Sequence, residues 1–409
     1  MKTNKRSKWF LVAGILVLGL VLIPAFKGFA AERPPIKVGL LLSYTGVAPL
    51  QAKGSSDGAE FAFDEVRKRA GGRAIQVFKE DTELNPTVGL TKVRRLIEDH
   101  KVNVIIGPVS SAVALAIYDY VLKSNVVWII PCAFTRELTA PDKANEKMFR
   151  TTETSDQGNF PMGKWVMKNT SWRNVVVTGQ DYKAGHDSVD AFKAGFQEAG
   201  GKILKEVYPK MGTMDFAPYL SSIDVKGADA VMAWTTGTDD IRFVQQYQEF
   251  GLKKRLPLFG GQVVIADDPY LSSIGDAALG IISLSHYPPT LDTPRNRAFV
   301  KAYTAKYGET PSRYSEYGYA AGKMVVAGIE AAKGDVEDAA KLARAIKQVS
   351  TTGKIETPAG TLMVDQYNQR IVDMYVVKVE KKDGKLVNSV IDKLGKVSQA
   401  DTWKWWMKK

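Results

Sequence analysis

Short apolar runs alternate with amphipathic segments along this chain, and no other feature of the sequence restricts its fold as strongly. The amphipathic segments include residues 56–68 and 86–99. The apolar runs around them, starting at Ile36, are IKVGLLL, AIQVFKED, VNVIIG and VVWIIP. Strands and helices that alternate at this spacing are typical of a parallel sheet with helices on both faces. We therefore predict an α/β fold.

The alternation stops at a polar, threonine-rich segment, FRTTETSD (residues 149–156), and then starts again. The next apolar runs are NVVVTG, KILKEVY, DAVMAW, PLFGG and IISLSHYPP. Residues 296–307 and 314–332 have the spacing of helices with one apolar face, and residues 374–380 are the last predicted strand. With 409 residues and 45% hydrophobic content, the chain is able to bury two separate cores. Two α/β units in series predict two lobes with a cleft between them.

The N-terminus has the pattern of a secretory signal. Four basic side chains in the first eight residues precede an almost unbroken apolar run at residues 9–26, and GFA at residues 28–30 offers the small residues of a cleavage site. We predict a signal peptide at residues 1–30. An uncleaved membrane anchor is the alternative, because the apolar run is nearly long enough to span a bilayer.

Composition and motifs argue against several classes of protein. The formal net charge is +12, but no cluster of Lys and Arg interleaved with aromatic residues lies within residues 31–402, so we expect no nucleic-acid partner. His100, His186 and His286 have no metal-ligand spacing, and we interpret them as surface or packing residues. The motifs GxGxxG and GxxxxGK[ST] are absent from the sequence. We predict no metal, no cofactor and no enzymatic activity.

Two predicted strands end in small and hydroxyl residues that are suited to binding an acceptor group. VNVIIG ends at Gly107, and Ser110 and Ser111 follow where a helix would begin. VVWII is followed closely by Cys132 and Phe134. Both turns lie at the carboxyl ends of parallel strands, so we expect one surface whose backbone N–H groups and hydroxyls suit a carboxylate. Ordinary strand–helix loops without a ligand are the alternative.

Cys132 is the only cysteine, which rules out an intrachain disulfide. A structural thiol is the favoured interpretation, because no histidine lies near it in sequence. A secreted enzyme with Cys132 as nucleophile is the alternative, and it predicts that a thiol reagent labels the folded protein.

Six segments together resemble the leucine/isoleucine/valine-binding protein family of periplasmic solute receptors. They are GLLLSYTGVAPLQAKGSSDGAEFAFDEV, IIGPVSSAV, VVWIIPCAFTRELT, FRTTETSDQG, DYKAG and GQV, in this order within residues 36–380. The resemblance implies a type I periplasmic binding fold, with two Rossmann-like lobes, each a doubly wound parallel sheet, joined by a three-segment hinge. It also implies closure on a small ligand and delivery of that ligand to the membrane permease subunits of an ABC importer. We expect a monomer in the periplasm. A periplasmic sensor that acts on a membrane signalling partner is the alternative function.

The resemblance also implies where the lobes divide. The crossover segments would lie near residues 150–152, 285–288 and 365–370. The first lobe would comprise residues 31–150 and 287–366. The second lobe would comprise residues 151–286 and 367–409.

The resemblance implies a set of ligand-binding residues, some of which depart from the family pattern. The set is Ser111, Cys132, Phe134, Gln51, Tyr182, Thr236, Gln262 and Tyr314. Ser111 matches the hydroxyl that holds the ligand carboxylate, and Cys132 matches a residue whose backbone meets the ligand. Phe134 replaces a threonine, and Gln262 replaces the glutamate that pairs with the ligand ammonium. Gln51 replaces an aromatic wall residue, Thr236 replaces a tyrosine, and Tyr314 keeps an aromatic ring.

The amide at Gln262 has the largest consequence for the ligand. A buried ammonium without a carboxylate partner is costly, so the change disfavours a free amino acid. Phe134 adds a ring on which an aromatic ligand could stack. The sequence thus predicts a neutral or anionic ligand, such as an aromatic or branched carboxylate or an amide. Alternatively, another acid, Asp181, Asp239 or Glu316, serves an ammonium.

Overall fold

The computed structural model describes residues 33–223, 226–262, 265–402 and 405. The predicted signal peptide, residues 1–30, lies outside the described residues. No helix in these ranges combines the length and the apolar character that crossing a membrane requires.

The N-terminal part of the described chain forms the first sheet. Its elements are β1 (Ile36–Leu42), α1 (Pro49–Glu65), β2 (Arg69–Ala70), β3 (Arg73–Asp81), α2 (Pro86–Arg94), β4 (Val104–Ile106), α3 (Ser111–Lys123), β5 (Val127–Ile130) and β6 (Met148–Arg150). The strand order is β2-β3-β1-β4-β5-β6. All neighbouring strands except the β2–β3 hairpin are parallel. The alternation of the sequence therefore predicts this half correctly.

Both faces of the first sheet are buried, as β1 shows. Ile36, Val38 and Leu40 belong to a core cluster that also contains apolar side chains of α1. Leu41 points to the other face and belongs to a cluster with side chains of α2 and α3. Because successive strand residues face opposite sides, a run of apolar residues without polar alternation is what a strand covered on both faces requires.

The middle of the chain forms most of the second sheet. Its elements are α4 (Ser155–Asn169), β7 (Asn174–Gly179), α5 (Lys183–Glu198), β8 (Lys202–Val207), α6 (Ala217–Ile223), β9 (Ala230–Trp234), α7 (Thr238–Glu249), β10 (Leu258–Gln262), α8 (Leu271–Ile274) and β11 (Ile282–Ser285). The strands of this part are parallel in the order β8-β7-β9-β10-β11. The second half therefore also has the predicted parallel core.

The C-terminal part returns to both sheets. Its elements are α9 (Pro294–Tyr307), α10 (Arg313–Ala331), α11 (Ala339–Thr351), β12 (Ile355–Thr357), β13 (Gly360–Val364), β14 (Arg370–Lys382) and β15 (Lys385–Val397). β14 is antiparallel to β11, and β13 and β15 are antiparallel to β14. β12 and β13 are thus hydrogen-bonded towards the second sheet, whereas Ile355, Leu362 and Val364 are buried in the core of the first.

α10 packs directly along α1, and glycines allow the two backbones to approach. A Cβ at Gly58 would overlap the carbonyl oxygen of Ser315, and a Cβ at Gly318 would overlap that of Ser55. α1 also begins at Pro49, a residue that suits the first turn of a helix. This contact fixes the N-terminal end of α10 beside the turns that follow β4 and β5.

Candidate functional site

Ser111 lies at the start of α3, in the turn that follows β4. Ser110 caps this helix, since its Oγ accepts a hydrogen bond from the backbone N of Val113 at 3.4 Å. Ser111 Oγ accepts a hydrogen bond from the backbone N of Thr135 at 3.1 Å. The turns after β4 and β5 are therefore in contact, and the hydroxyl hydrogen of Ser111 can still be donated to another acceptor.

Cys132 and Phe134 lie in the turn after β5 and face α1 and α10. Cys132 Sγ is 3.2 Å from Ser55 Oγ. Burial raises the pKa of the Cys132 thiol to about 12. The ring of Phe134 meets the ring of Tyr317 edge-on, with 6.3 Å between centroids. Cys132, Phe134, Tyr314 and Tyr317 belong to the same core cluster as side chains of the second sheet, so this turn touches both halves of the molecule.

Gln51 and Thr236 form a polar contact between α1 and the loop after β9. The Gln51 amide lies 3.2 Å from Thr236 Oγ1 and 2.6 Å from the hydroxyl of Tyr270. The backbone N of Thr238 donates to the carbonyl of Val47 at 3.1 Å. Gln51 therefore joins the two halves of the molecule through hydrogen bonds.

Tyr182 lies on the second-sheet side, at the N-cap of α5. Its ring centroid is 5.7 Å from that of Trp234 at the end of β9, and burial raises the pKa of its hydroxyl. Gln180 connects this turn to the predicted site, because its Oε1 accepts a hydrogen bond from the backbone N of Thr236 at 3.0 Å. Tyr182 and Thr236 thus line the same edge of the second sheet.

Gln262 is the last residue of β10 and is fully buried. Its Nε2 donates to Glu153 Oε1 at 2.5 Å, and its backbone N donates to Asn159 Oδ1 at 3.0 Å. Its Oε1 has no hydrogen-bond partner among the described residues. Tyr317 also donates to Glu153 at 2.6 Å. The amide orientation follows from this contact, because the opposite orientation would direct Oε1 at a carboxylate.

Arg313 is a buried cation at the start of α10 that the sequence does not single out. Its Nη2 donates to the hydroxyl of Tyr314 at 2.7 Å, and its Nε lies 3.3 Å from Asp267 Oδ1. Its Nη1 is 3.9 Å from Glu153 Oε1, which is too far for a hydrogen bond. The guanidinium carbon lies 4.6 Å from the ring centroid of Tyr314 and 5.5 Å from that of Phe134. Arg313 is therefore held between two rings and two carboxylates.

A second buried ionic cluster lies next to Glu153. Arg370 donates to both carboxylate oxygens of Glu316 at 2.7 Å, and His286 Nε2 is 2.8 Å from the same carboxylate. Burial opposes the ionisation of Glu316, but Arg370 holds its pKa well below the ordinary value. His286 Nδ1 is 3.6 Å from Glu153 Oε2, so His286 connects the two carboxylates. Burial also opposes the ionisation of Glu153, yet His286 and Arg313 lower its pKa.

The acids proposed as alternative ammonium partners all have other partners. Asp181 lies 2.9 Å from His186. Asp239 accepts a hydrogen bond from Arg242 at 2.8 Å. Glu316 is paired with Arg370 as described. The carboxylate that contacts Gln262 is Glu153 instead, in the threonine-rich segment between the two α/β units.

The family of the chain follows from its whole length. A family model described as "Periplasmic binding protein" matches residues 35–385. The chain belongs to the periplasmic binding protein family. This periplasmic binding protein is also 26% identical over 360 residues to Leu/Ile/Val-binding protein homolog 6 of Brucella melitensis. The aligned residues make up 87% of this chain and 90% of the relative. The predicted family is therefore confirmed.

Solved structures agree with this periplasmic binding protein over most of its length. An ABC transporter substrate-binding protein from Sphaerobacter thermophilus is 34% identical with a TM-score of 0.82, over 89% of this chain and 99% of that chain. A solute binding protein of an ABC transporter from R. palustris, in complex with 4-hydroxybenzoate, is 27% identical with a TM-score of 0.84, over 92% and 100% of the two chains.

These similarities confirm the predicted type I periplasmic binding fold and the predicted function of the chain as a solute receptor. The periplasmic binding protein is a solute-binding receptor of an ABC importer, with a small-molecule ligand and permease subunits as partners. Members of this family are binding proteins and are extracytoplasmic.

Proposed function

We propose that this receptor binds a carboxylate without an α-ammonium group, in particular an aromatic carboxylate. The proposal rests on the hydrogen bonds and ion pairs that the acidic side chains near Gln262 already make. Glu153 already accepts hydrogen bonds from Gln262 and Tyr317, and Asp267 is paired with Arg313. An arriving ammonium would have to displace one of these buried donors, whereas a ligand without it would not.

Aromatic walls support the ring of such a ligand. The guanidinium of Arg313 lies next to the rings of Phe134 and Tyr314, and Tyr317 lies within 6.3 Å of both rings. Offset or edge contacts between rings add about 0.5–1.5 kcal/mol to area burial. The likeness to the R. palustris protein in complex with 4-hydroxybenzoate supports the same class of ligand.

In this proposal the ligand lies between a lobe of residues 31–150 and 287–366 and a lobe of residues 151–286 and 367–409. The predicted residues Ser111, Cys132, Phe134, Gln51, Tyr182, Thr236, Gln262 and Tyr314 would contact it or line its cleft. Contacts between the two halves support this location, including those of Gln51 with Thr236 and of Arg313 with Asp267.

The receptor acts, in this proposal, as a periplasmic monomer from which residues 1–30 have been removed, and it has no catalytic activity. The Cys132 thiol supports a binding role, because a pKa of about 12 leaves almost no thiolate at neutral pH. Delivery of the bound ligand to the permease subunits would complete its function.

Calorimetry of the mature protein tests the proposal. Benzoate, 4-hydroxybenzoate, leucine and phenylalanine would be compared, after a thermal-shift screen in which a ligand at a hundred times its Kd adds about 2.7 kcal/mol. We expect at least one aromatic acid to bind more tightly than either amino acid. Micromolar or tighter binding of leucine, with no response to the acids, would overturn the proposal.

A further inference from the structure

We infer that Arg313 binds the carboxylate of the ligand. This inference rests on the proposed function, and it assigns a ligand contact to a residue outside the predicted set. Arg313 is fully buried at the first residue of α10, where the glycine contacts between α1 and α10 fix its position.

Some N–H donors of the Arg313 guanidinium have no hydrogen-bond acceptor among the described residues. It carries five N–H donors in a planar fork that matches a carboxylate. Nη2 donates to Tyr314 and, at 3.4 Å, to Asp267. Nε and Nη1 make no hydrogen bond with any described residue. Buried donors without acceptors are costly, so a carboxylate that reaches Nε or Nη1 gains a charge-assisted hydrogen bond.

The two acids near Arg313 do not saturate it. Glu153 lies 3.9 Å from Nη1 and is bound instead by Gln262 and Tyr317. Asp267 lies 3.3 Å from Nε, but its carboxylate also caps a short helix by accepting a hydrogen bond from the backbone N of Asp268 at 3.0 Å. Each acid thus has a structural partner of its own, which leaves Arg313 as the cation available to a ligand.

The rings beside Arg313 select the rest of the ligand. A carboxylate that meets the guanidinium between Phe134 and Tyr314 brings its own substituent against these rings. An aromatic substituent would make favourable ring contacts with these neighbours. Asp267 is the like charge that the ligand carboxylate must approach, so it limits affinity while it positions Arg313.

Matched acid and amide ligands test the inference. Benzoate and benzamide have the same shape, but only benzoate carries the charge. In Arg313→Met we expect benzoate binding to weaken by about 10- to 150-fold and benzamide binding to change by less than about threefold. Arg297→Met is the control, because Arg297 is exposed and pairs with Asp292. Equal weakening of acid and amide would overturn the inference.

Asp267→Asn provides a variant that keeps the cation. We expect it to bind benzoate more tightly than wild type by about threefold or more and to bind benzamide unchanged. The double variant Arg313→Met/Asp267→Asn removes both charges together. It replaces Arg313→Met in the binding test if that single variant does not fold. Retention of a wild-type preference for acid over amide in the double variant would also overturn the inference.

The same comparison separates this inference from the proposed function. If wild type binds leucine and no aromatic acid, the proposed ligand class is wrong. The matched pair of test ligands is then leucine and leucinamide instead of benzoate and benzamide. If Arg313→Met no longer prefers leucine to leucinamide, Arg313 would still be the residue that binds the ligand carboxylate. A wild type that does not distinguish acid from amide in either pair would overturn the role of Arg313 directly.

Discussion

At the scale of single residues, the amide of Gln262 is the side chain on which the proposed ligand preference depends most. Its Nε2 satisfies Glu153, whereas its Oε1 has no partner in the described part of the chain. The side chain therefore offers a ligand one acceptor and no charge. A hydroxyl or an N–H group on a ligand would satisfy that acceptor at the strength of an ordinary hydrogen bond.

Gln262→Glu should reverse the ligand preference. The new carboxyl group would face Glu153 at the distance of the present hydrogen bond, 2.5 Å, where the two groups would share a proton. The pair would remain negative and would lose the amide N–H that now binds Glu153, which disfavours an anionic ligand. We expect aromatic acids to bind at least about tenfold more weakly, the equivalent of about 1.4 kcal/mol. Calorimetry with benzoate and leucine at pH 7.5 measures this. Unchanged benzoate affinity would show that Gln262 lies away from the ligand.

Asp156 should give the protein a pH-dependent stability. Burial raises its pKa to about 7, although Arg136 opposes the shift. Because the folded pKa exceeds the value of about 3.9 in unfolded chains, the protonated form is favoured on folding. The contribution is complete below about pH 4 and is lost as the pH rises through 7.

We therefore expect Asp156→Asn to remove this loss. Urea unfolding at pH 5 and pH 8 should show a smaller decrease in the free energy of unfolding for the variant than for wild type, by about 2–4 kcal/mol. Thermal melts at the same two pH values provide the control for changes in urea response. Parallel pH profiles for both proteins would contradict the assignment.

At the scale of elements, the contact between α1 and α10 positions both Gln51 and Arg313. Gly58→Ala should disrupt it, because the added Cβ would overlap the carbonyl oxygen of Ser315. We expect a loss of about 3 kcal/mol or more in unfolding free energy, measured by urea denaturation.

Gly54→Ala is the matched control on the same helix. Its Cβ would lie 3.1 Å from that of Tyr314, a contact that small shifts relieve, and alanine gains about 0.5–1 kcal/mol in helix propensity over glycine. We expect a change of about 1 kcal/mol or less. Equal effects of the two substitutions would contradict the role assigned to the close backbone contact.

The sequence predicts elements where one physical signal dominates. Continuous apolar runs identify β1, β4, β5 and β9, because these strands are buried on both faces. The apolar pattern does not identify β15, since most of KLVNSVIDKLGKV is exposed or half-buried. The Asp383-Gly384 pair before it is a hairpin signal that could have identified it. The predicted strand at residues 374–380 is correspondingly shorter than β14.

The candidate site was only partly predictable, for a different reason. Ser111 and Cys132 lie within a few residues of the ends of β4 and β5, so the local sequence pattern predicts their location. Glu153, Asp267 and Arg313 are ionisable residues whose burial depends on partners far away in sequence. From the local sequence pattern alone, such ionisable residues are predicted to lie on the surface. His286 was interpreted as a surface or packing residue, and it is buried between two carboxylates.

At the scale of the whole molecule, the loop after β9 lies against the loop after β1. Gly237 in the first loop has φ 69° and ψ −145°, and a Cβ there would overlap the carbonyl oxygen of Val47. The contact joins the two halves of the molecule and would form when the lobes close on a ligand.

Gly237→Ala should therefore oppose closure. We expect affinity for the ligand to fall about tenfold or more, and the decrease in radius of gyration on ligand addition to become smaller in small-angle scattering. Gly275→Ala is the control, because Gly275 has nearly the same backbone angles, φ 71° and ψ −156°, and its Cβ would meet no described atom within 4 Å. Equal losses in both variants would indicate backbone strain alone.

The return of the C-terminal part to the first sheet also sets the order in which the protein can be assembled. Ile36 and Val38 share one core cluster with Ile346 and Val364, from the opposite end of the chain. While the protein is being made, that cluster stays incomplete until α10, α11 and β13 have emerged. The early strands therefore lack part of their core for most of synthesis. We therefore expect the core around the first sheet to be completed only after most of the chain has been made.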